Sequence, residues 1–268
     1  MQRYIRLQEI SATMITVAVT GARGRMGMLI IENVTAAPDM ELVAAFDLRE
    51  IGAPAGVGDV LVSDAGEIDA VLEKTSPDVL IDFTIADAAV TNIRAAVTNN
   101  VRLVVGTTGL EPYQDEIAGI VAERVSAVIA PNFSVGVNLF WKLLADAVLY
   151  ISDWDIEIIE AHHRNKKDAP SGTAMHAAAV ISNALGGKEL VHGREGLSPR
   201  GTEIGMHAVR GGDIIGDHTV LFAGDGERIE IRHQAHSRQA FAGGAIRAAR
   251  WVIGAPKGIH GMDKVLGI

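Results

Sequence analysis

The chain has 268 residues, a net charge of −9 and no cysteine. Disulfides, thiolate catalysis and cysteine-ligated zinc are thereby excluded, and the acidic balance speaks against broad binding to nucleic-acid phosphates. Its 48% hydrophobic content is mostly Ala, Val, Ile and Leu, with only 4% aromatic residues, which suits buried parallel strands alternating with helices in two modules.

Residues 1 to 13 show no clear period, so Met14 is read as the natural start, or the leader as a loose extension without a secretory hydrophobic region. Residues 15 to 19 form a β-branched run, followed by Gly-Ala-Arg-Gly-Arg-Met-Gly at 21 to 27. An apolar helical pattern then runs through Met28, Leu29, Ile31 and Val34. This order reads as strand, glycine turn and helix. Strand signals recur at 42 to 46, 79 to 83, 101 to 105 and 127 to 130, with helical stretches at 88 to 98 and 113 to 124. The alternation predicts an α/β fold with a Rossmann-like, doubly wound parallel sheet. The uncharged stretch 125 to 141 is interrupted by Ser126, Pro131, Asn132, Ser134, Gly136 and Asn138. It therefore reads as strand, turn and helix, not as a membrane span.

Beyond Asn132 the pattern changes. A helix over about 137 to 150 precedes a strand at 155 to 160, a loop over 162 to 170, and a helix beginning near Ser171 with Ala174, Ala177, Ala178, Ile181 and Leu185 at helical spacing. Gly186 and Gly187 stop that helix. Residues 218 to 223 and 228 to 233 alternate on either side of Gly-Asp-Gly, a hairpin signal. A second α+β domain with a mixed, mainly antiparallel sheet is expected. The closing helix, about 241 to 253, presents Ala245, Ile246, Ala249 and Val252 on one face and is expected to return to the first module. The domains are then 14 to 131 with 241 to 268, and 132 to 240.

Two sites emerge. Gly21, Gly24 and Gly27 are spaced G-x-x-G-x-x-G after a strand, a turn that lets backbone N–H groups and a helix N-terminus meet a pyrophosphate. Asp47 ends the second strand, 20 positions after Gly27, where an acid accepts from ribose hydroxyls and favours NADH. Arg49 and Arg23 lie where a guanidinium can hold the 2′-phosphate of NADPH, so dual use is open. Gly106-Thr107-Thr108-Gly109, Pro131-Asn132-Phe133, and Phe83 with Thr84 stand at carboxyl ends of strands, where open α/β sheets bind ligands.

The second site is Glu-Ala-His-His-Arg-Asn-Lys-Lys-Asp-Ala-Pro-Ser-Gly-Thr-Ala at 160 to 174. Its cations Arg164, Lys166 and Lys167 precede a helix start with Ser171 as N-cap, where Gly172 and Thr173 offer free N–H groups to a carboxylate. Reduction of a C=C or C=N bond needs a proton beside the hydride, and histidine is the natural donor. With an ordinary pKa of about 6.5, roughly a quarter of His162 is charged at pH 7; an arriving dianion raises that share. Adjacent histidines on an extended segment point to opposite sides and no HExxH pattern exists, so no metal is expected.

These segments resemble the dihydrodipicolinate reductase family, also called 4-hydroxy-tetrahydrodipicolinate reductases. The resemblance rests on GARGRMG, DFT at 82 to 84, GTTG, PNFSVGVN at 131 to 138, EAHHRNKKDAPSGTA, and RGGDIIGDHTVLF at 210 to 222, in the same order and over nearly the whole chain from Ile15. It implies reduction of 4-hydroxy-tetrahydrodipicolinate to tetrahydrodipicolinate with NADH or NADPH, in the diaminopimelate route to lysine. It implies His162 as proton donor or acceptor and Lys166 as a second catalytic donor, with His163, Gly172 and Thr173 on the substrate's carboxylates. For the dinucleotide the matching positions are Gly21, Ala22, Arg23, Gly24, Arg25, Met26, Asp47, Gly106, Thr107, Thr108, Ala130, Pro131, Asn132 and Phe133. A homotetramer assembled through the second domain's sheet, and a hinge closing over substrate, are implied as well. From the residues themselves, the absence of cysteine fits a cytoplasmic protein, and neither a membrane nor a nucleic-acid partner is expected. Where some members place an arginine directly after the acid, this chain has Leu48. Another oxidoreductase of amino or keto acids, and a nicotinamide-sensing protein without turnover, stay open from the residues alone.

Overall fold

The computed structural model describes residues 14 to 268; the reading of the leader falls on residues outside these. In chain order the elements are β1 (Ile15–Thr20), α1 (Arg25–Ala36), β2 (Met40–Asp47), β3 (Val62–Asp64), α2 (Ile68–Thr75), β4 (Val79–Asp82), α3 (Ala86–Thr98), β5 (Arg102–Val105), α4 (Gln114–Val121) and β6 (Ser126–Ile129). There follow α5 (Val135–Ala147), β7 (Asp155–His162), α6 (Gly172–Ala184), β8 (Leu190–His192), β9 (Ile204–Arg210), β10 (Gly216–Gly224), β11 (Glu227–Ala235), α7 (Gln239–Val252), β12 (Gly258–His260) and α8 (Met262–Leu266). Two compact units divide them: residues up to Ile129 with Ile246–Ile259, and Ala130–Ala245 with His260–Ile268.

The first unit is built on a seven-stranded sheet in the order β12-β6-β5-β4-β1-β2-β3. Parallel ladders join β1 to β2 and β4, and β5 to β4 and β6. Strand order reverses at β1, so the loops after β1 and β4 open onto the switch point where such sheets take ligands. Val17, Val19, Leu80, Ile81, Leu103 and Val104 are fully buried, which is why these strands read as continuous apolar runs without alternation. Burying each such side chain contributes about 1.5–3 kcal/mol.

The second unit carries a five-stranded mixed sheet in the order β11-β10-β7-β9-β8. β10 pairs antiparallel with β7 and β11, while β9 pairs parallel with β7 and β8, so antiparallel junctions are half of the total. Ile156 and Ile158 of β7 and Val220 and Phe222 of β10 pack with Phe140 and Leu144 of α5 and Ala177 and Ile181 of α6. The hairpin turns on Asp225 and Gly226, the latter at φ +84°, since Gly224 pairs directly with Glu227.

One boundary moves in a way that matters. β7 does not stop before the histidines: its ladder with β9 runs on to the pair His162–Arg210, so His162 belongs to a strand, not to the loop. Among the described residues, no helix is long and apolar enough to cross a membrane.

Candidate active site

Gly21 follows β1 at φ +66°, a conformation that L side chains rarely adopt. Gly24 is the N-cap of α1 and supplies no side-chain cap, which leaves first-turn amides free to meet a ligand. Gly27 packs so close that an added Cβ would sit 2.0 Å from the Gly21 carbonyl oxygen. The three glycines thus turn the chain, bare the helix end and press the helix onto the strand, a geometry that fits a pyrophosphate. Ala22 is buried, Arg23 and Met26 are half-buried, and Arg25 opens α1 on the exposed side.

Asp47 holds this turn in place. Its Oδ2 accepts from the Arg23 amide at 2.8 Å, and its Oδ1 from the amides of Leu48 and Arg49 at 2.9 and 3.1 Å and from Arg49 Nε at 3.3 Å. Burial opposes its charge, but the Arg23 and Arg49 amides, the Arg49 side chain and the Leu48 amide together hold its carboxyl below the usual range. Asp47 is therefore a brace of the glycine turn before it is an acceptor for a ribose. Arg49 also donates to the Arg23 carbonyl at 2.9 Å, so its guanidinium stands beside Asp47, whereas that of Arg23 is turned to Glu50 at 3.0 Å and to the Pro54 carbonyl at 2.8 Å.

A second brace lies at the ends of β4 and β5. Asp82, fully buried, accepts from Thr20 Oγ1 and Asn92 Nδ2, both at 2.7 Å, and from Thr107 Oγ1 at 2.6 Å. Thr107 Oγ1 in turn accepts from the Thr84 amide at 2.8 Å. The Thr107 hydroxyl is thus committed to the protein, and Gly106 leaves room for the Phe83 ring, which a Cβ would approach to 2.2 Å. Thr108 follows directly in the same turn.

In the second unit, Ser171 caps α6, its Oγ accepting from the Ala174 amide at 3.2 Å. Gly172 and Thr173 form the first turn, as the Pro-Ser-Gly-Thr order predicts. Ala130 and Phe133 are buried, Pro131 is exposed, and Asn132 donates from Nδ2 to Thr173 Oγ1 at 3.2 Å. A residue expected at the dinucleotide and one expected at the substrate are therefore in contact.

His162 is buried, with Nδ1 2.6 Å from Glu160 Oε2. Lys166 is mostly covered and pairs with Asp168 at 2.8 Å. His163 has a buried Nδ1 without a hydrogen-bond partner among the described residues, a polar atom left for a ligand. The Lys166 amide donates to the His163 carbonyl at 3.0 Å, and the Arg164 amide to the Gly212 carbonyl at 3.2 Å, which fixes the loop's course.

Residues 15–133 match the family model described as dihydrodipicolinate reductase, N-terminus, and residues 136–266 the one described as its C-terminus. The chain belongs to the dihydrodipicolinate reductase family. A 4-hydroxy-tetrahydrodipicolinate reductase of Methanosarcina acetivorans is 59% identical over 264 residues, covering 95% of this chain and all of the relative. That of Methanosarcina mazei is 58% identical over 263 residues with the same coverage of this chain. The solved structure of a dipicolinate-bound dihydrodipicolinate reductase from Paenisporosarcina sp. TG-14 is 30% identical, covers 92% of this chain and 97% of its own, and superposes with a TM-score of 0.77.

For a dihydrodipicolinate reductase, the side chains to which sequence reasoning gave no role are Glu160, Arg210, His218 and Asp82. Glu160 carried a signal: it is a carboxylate on the inward face of a strand whose other inward residues are Ile156, Ile158 and His162. Arg210 lies 50 residues away and reaches Glu160 only through the β7–β9 register.

His218 on β10 accepts or donates at Nε2 to Ser171 Oγ, 3.0 Å away, with its ring edge-on to His162 at 5.2 Å. Burial pushes its pKa down to about 3, with His162 and His233 adding to the effect. The unfolded chain protonates this ring near its ordinary value of 6.5, so between those values it binds more protons than the folded chain, and stability falls as pH falls through the window. The expected loss from His218 alone is about 2 kcal/mol between pH 7 and pH 5, read as a lowered urea midpoint. Equal midpoints at the two pH values would show that the ring charges in the native state.

Proposed function

We propose that the chain reduces 4-hydroxy-tetrahydrodipicolinate to tetrahydrodipicolinate, with NADH or NADPH as reductant and water as the second product, in the diaminopimelate route to lysine. The observation that carries this reading is the β7–α6 connection, which sets a buried histidine, a lysine and the first turn of a helix within one short segment. On this reading His162 delivers the proton from its ring, and Lys166 acts as a second donor and clamps a carboxylate with its charge. Gly172 and Thr173 meet a carboxylate with their amides, and the orphaned Nδ1 of His163 is a further partner for it. When bound, the reduced nicotinamide supplies the hydride. The glycine turn of Gly21, Ala22, Arg23, Gly24, Arg25 and Met26 holds the dinucleotide, together with Asp47, residues 106 to 108 and residues 130 to 133.

Residues 14 to 131, with 241 to 268, are assigned to the dinucleotide and 132 to 240 to substrate and assembly. Four copies meet through the face of the second sheet that α5 and α6 leave open, where Ile159 and Val209 are 40% and 48% exposed. A single-chain mass by light scattering would contradict that assembly. Cytoplasmic residence belongs to the same reading; recovery of the protein with membranes on fractionation would contradict it.

Pyridine-2,6-dicarboxylate, a planar dianion of the substrate's size, tests the substrate half by calorimetry. Wild-type protein with NADH is expected to bind it, and Lys166→Ala to bind it about ten- to hundredfold more weakly, the worth of one charge-assisted hydrogen bond of about 1.5–3 kcal/mol. Absence of wild-type binding, or equal binding by the variant, would count against a dicarboxylate held by this loop.

A further inference from the structure

Glu160 is fully buried and takes four donors. Its Oε2 faces His162 Nδ1 at 2.6 Å and Arg210 Nη1 at 2.8 Å, while Oε1 accepts from Arg210 Nη2 at 2.8 Å and from the Ser171 amide at 3.0 Å. Every lone-pair direction of the carboxylate is thereby used. Strand geometry makes this inevitable: Glu160 and His162 are two apart on β7 and share a face, and the ladder sets Arg210 of β9 opposite His162. Arg210 also donates to the Asp168 carbonyl at 2.6 Å, so the guanidinium ties β7, β9 and the far end of the histidine loop together.

We propose that Glu160, locked by Arg210, is the positioning residue for His162: it fixes the ring's tautomer with hydrogen on Nδ1 and leaves Nε2 as the nitrogen that exchanges a proton with substrate. An ionised carboxylate can only accept, so the nitrogen facing it must carry hydrogen, and the neutral ring's lone pair is then on Nε2. That side of the ring is kept clear by Gly216 of β10, where a Cβ would stand 3.0 Å from Nε2. The ring has no route of retreat from such crowding, because Nδ1 is anchored. The Ser171 amide joins the same carboxylate to the first turn of α6, so the ring and the carboxylate cradle share one support.

The charged and titratable groups around the ring come from every neighbouring element: Glu160 on its own strand, Arg210 on β9, His218 on β10 with His233 beyond it, and Lys166 in the loop, itself paired to Asp168. From α6, His176 packs tilted against the Trp141 ring. Burial lowers the His162 pKa, Glu160 opposes that, and Lys166 and Arg210 reinforce it. Removing the Glu160 charge therefore lowers it further.

The inference rests on His162 being the proton donor, and the test separates the two. The full-length enzyme is compared with Glu160→Gln, with Glu160→Gln combined with Arg210→Met to keep the buried site neutral, and with His162→Gln, using nitrogen NMR of the imidazole, the pH profile of kcat/KM, and pyridine-2,6-dicarboxylate binding. The wild-type ring is expected as the Nδ1–H tautomer. In folded Glu160→Gln, or in the double variant should the single one not fold, the tautomers mix and kcat falls at least roughly tenfold, as for orienting partners of other histidines. In Glu160→Gln the limb on which activity falls as His162 loses its proton moves to lower pH, with dicarboxylate affinity kept within about threefold. A loss of His162→Gln activity beside an unchanged tautomer and pH limb in the Glu160 variants overturns the positioning role alone. Full activity of His162→Gln overturns the proton donor and, with it, this inference.

Discussion

Replacement of His162 by Gln is expected to lower turnover by roughly 10²–10⁴-fold while leaving NADH binding intact, because the variant keeps a polar side chain but cannot carry the proton. The ring is buried at the end of β7, supported on one nitrogen by Glu160 and flanked by Lys166 in the following loop. NADH binding is expected to survive because the glycine turn and its braces, Asp47 and Asp82, lie in the first unit and are built from residues that do not include His162. Steady-state turnover and a fluorescence titration with NADH read the two halves separately. Undiminished turnover would remove His162 from the chemistry; lost NADH binding would mean that the substitution reaches further than one ring.

Arg210→Leu is expected to destabilise the fold by about 3–5 kcal/mol, the range for breaking a buried ion pair by removing one partner. Glu160, itself fully buried, would retain the His162 and Ser171 contacts but lose both prongs of its compensating charge. Within a total stability of about 5–15 kcal/mol, such a loss is visible as a large drop in urea midpoint. In the native protein burial raises the Glu160 pKa, yet Arg210, His162 and the Ser171 amide outweigh it and hold the carboxyl below its usual range. Its stabilising charge is therefore present above the ordinary carboxylate range and fades only as pH falls through that depressed value. In Arg210→Leu that protection shrinks, so the acid limb of the stability curve moves to higher pH. A midpoint equal to wild type would mean that the guanidinium contributes nothing net.

The elements that were legible in the sequence are those whose signal is local. Residues 15 to 34 announce strand, turn and helix because the apolar period changes from continuous to helical across three glycines, and the structure needs each glycine for a separate steric reason. The Ser171 cap and the Asp225–Gly226 turn were readable for the same reason, since cap and turn chemistry is confined to a few residues. β9, by contrast, alternates poorly: Ile204, Gly205 and Met206 are all buried, and Ala208 and Val209 are exposed. Its neighbour β8 is only three residues long. β3 and α2 escaped because short polar-rich segments such as Val62–Asp64 and Ile68–Thr75 bury too few side chains to impose a period.

At the site, the histidine and lysine were legible as residue types in a basic loop, whereas their support was not. Glu160 accepts from Arg210 across 50 positions of sequence, a contact that exists only once the β7–β9 register is set. Asp47 shows the reverse case, a residue found by its place after β2 whose carboxylate proves to be occupied by the amides of Arg23, Leu48 and Arg49.

The most direct measurement is the oxidation of NADH and NADPH by the purified chain with 4-hydroxy-tetrahydrodipicolinate generated freshly in the same vessel. Reduced-nicotinamide absorbance is expected to fall only when that substrate is being formed, in step with it, and to be slowed by pyridine-2,6-dicarboxylate. Absorbance that stays constant with both cofactors, although each is bound, would contradict a reductase and leave a nicotinamide-binding protein without turnover.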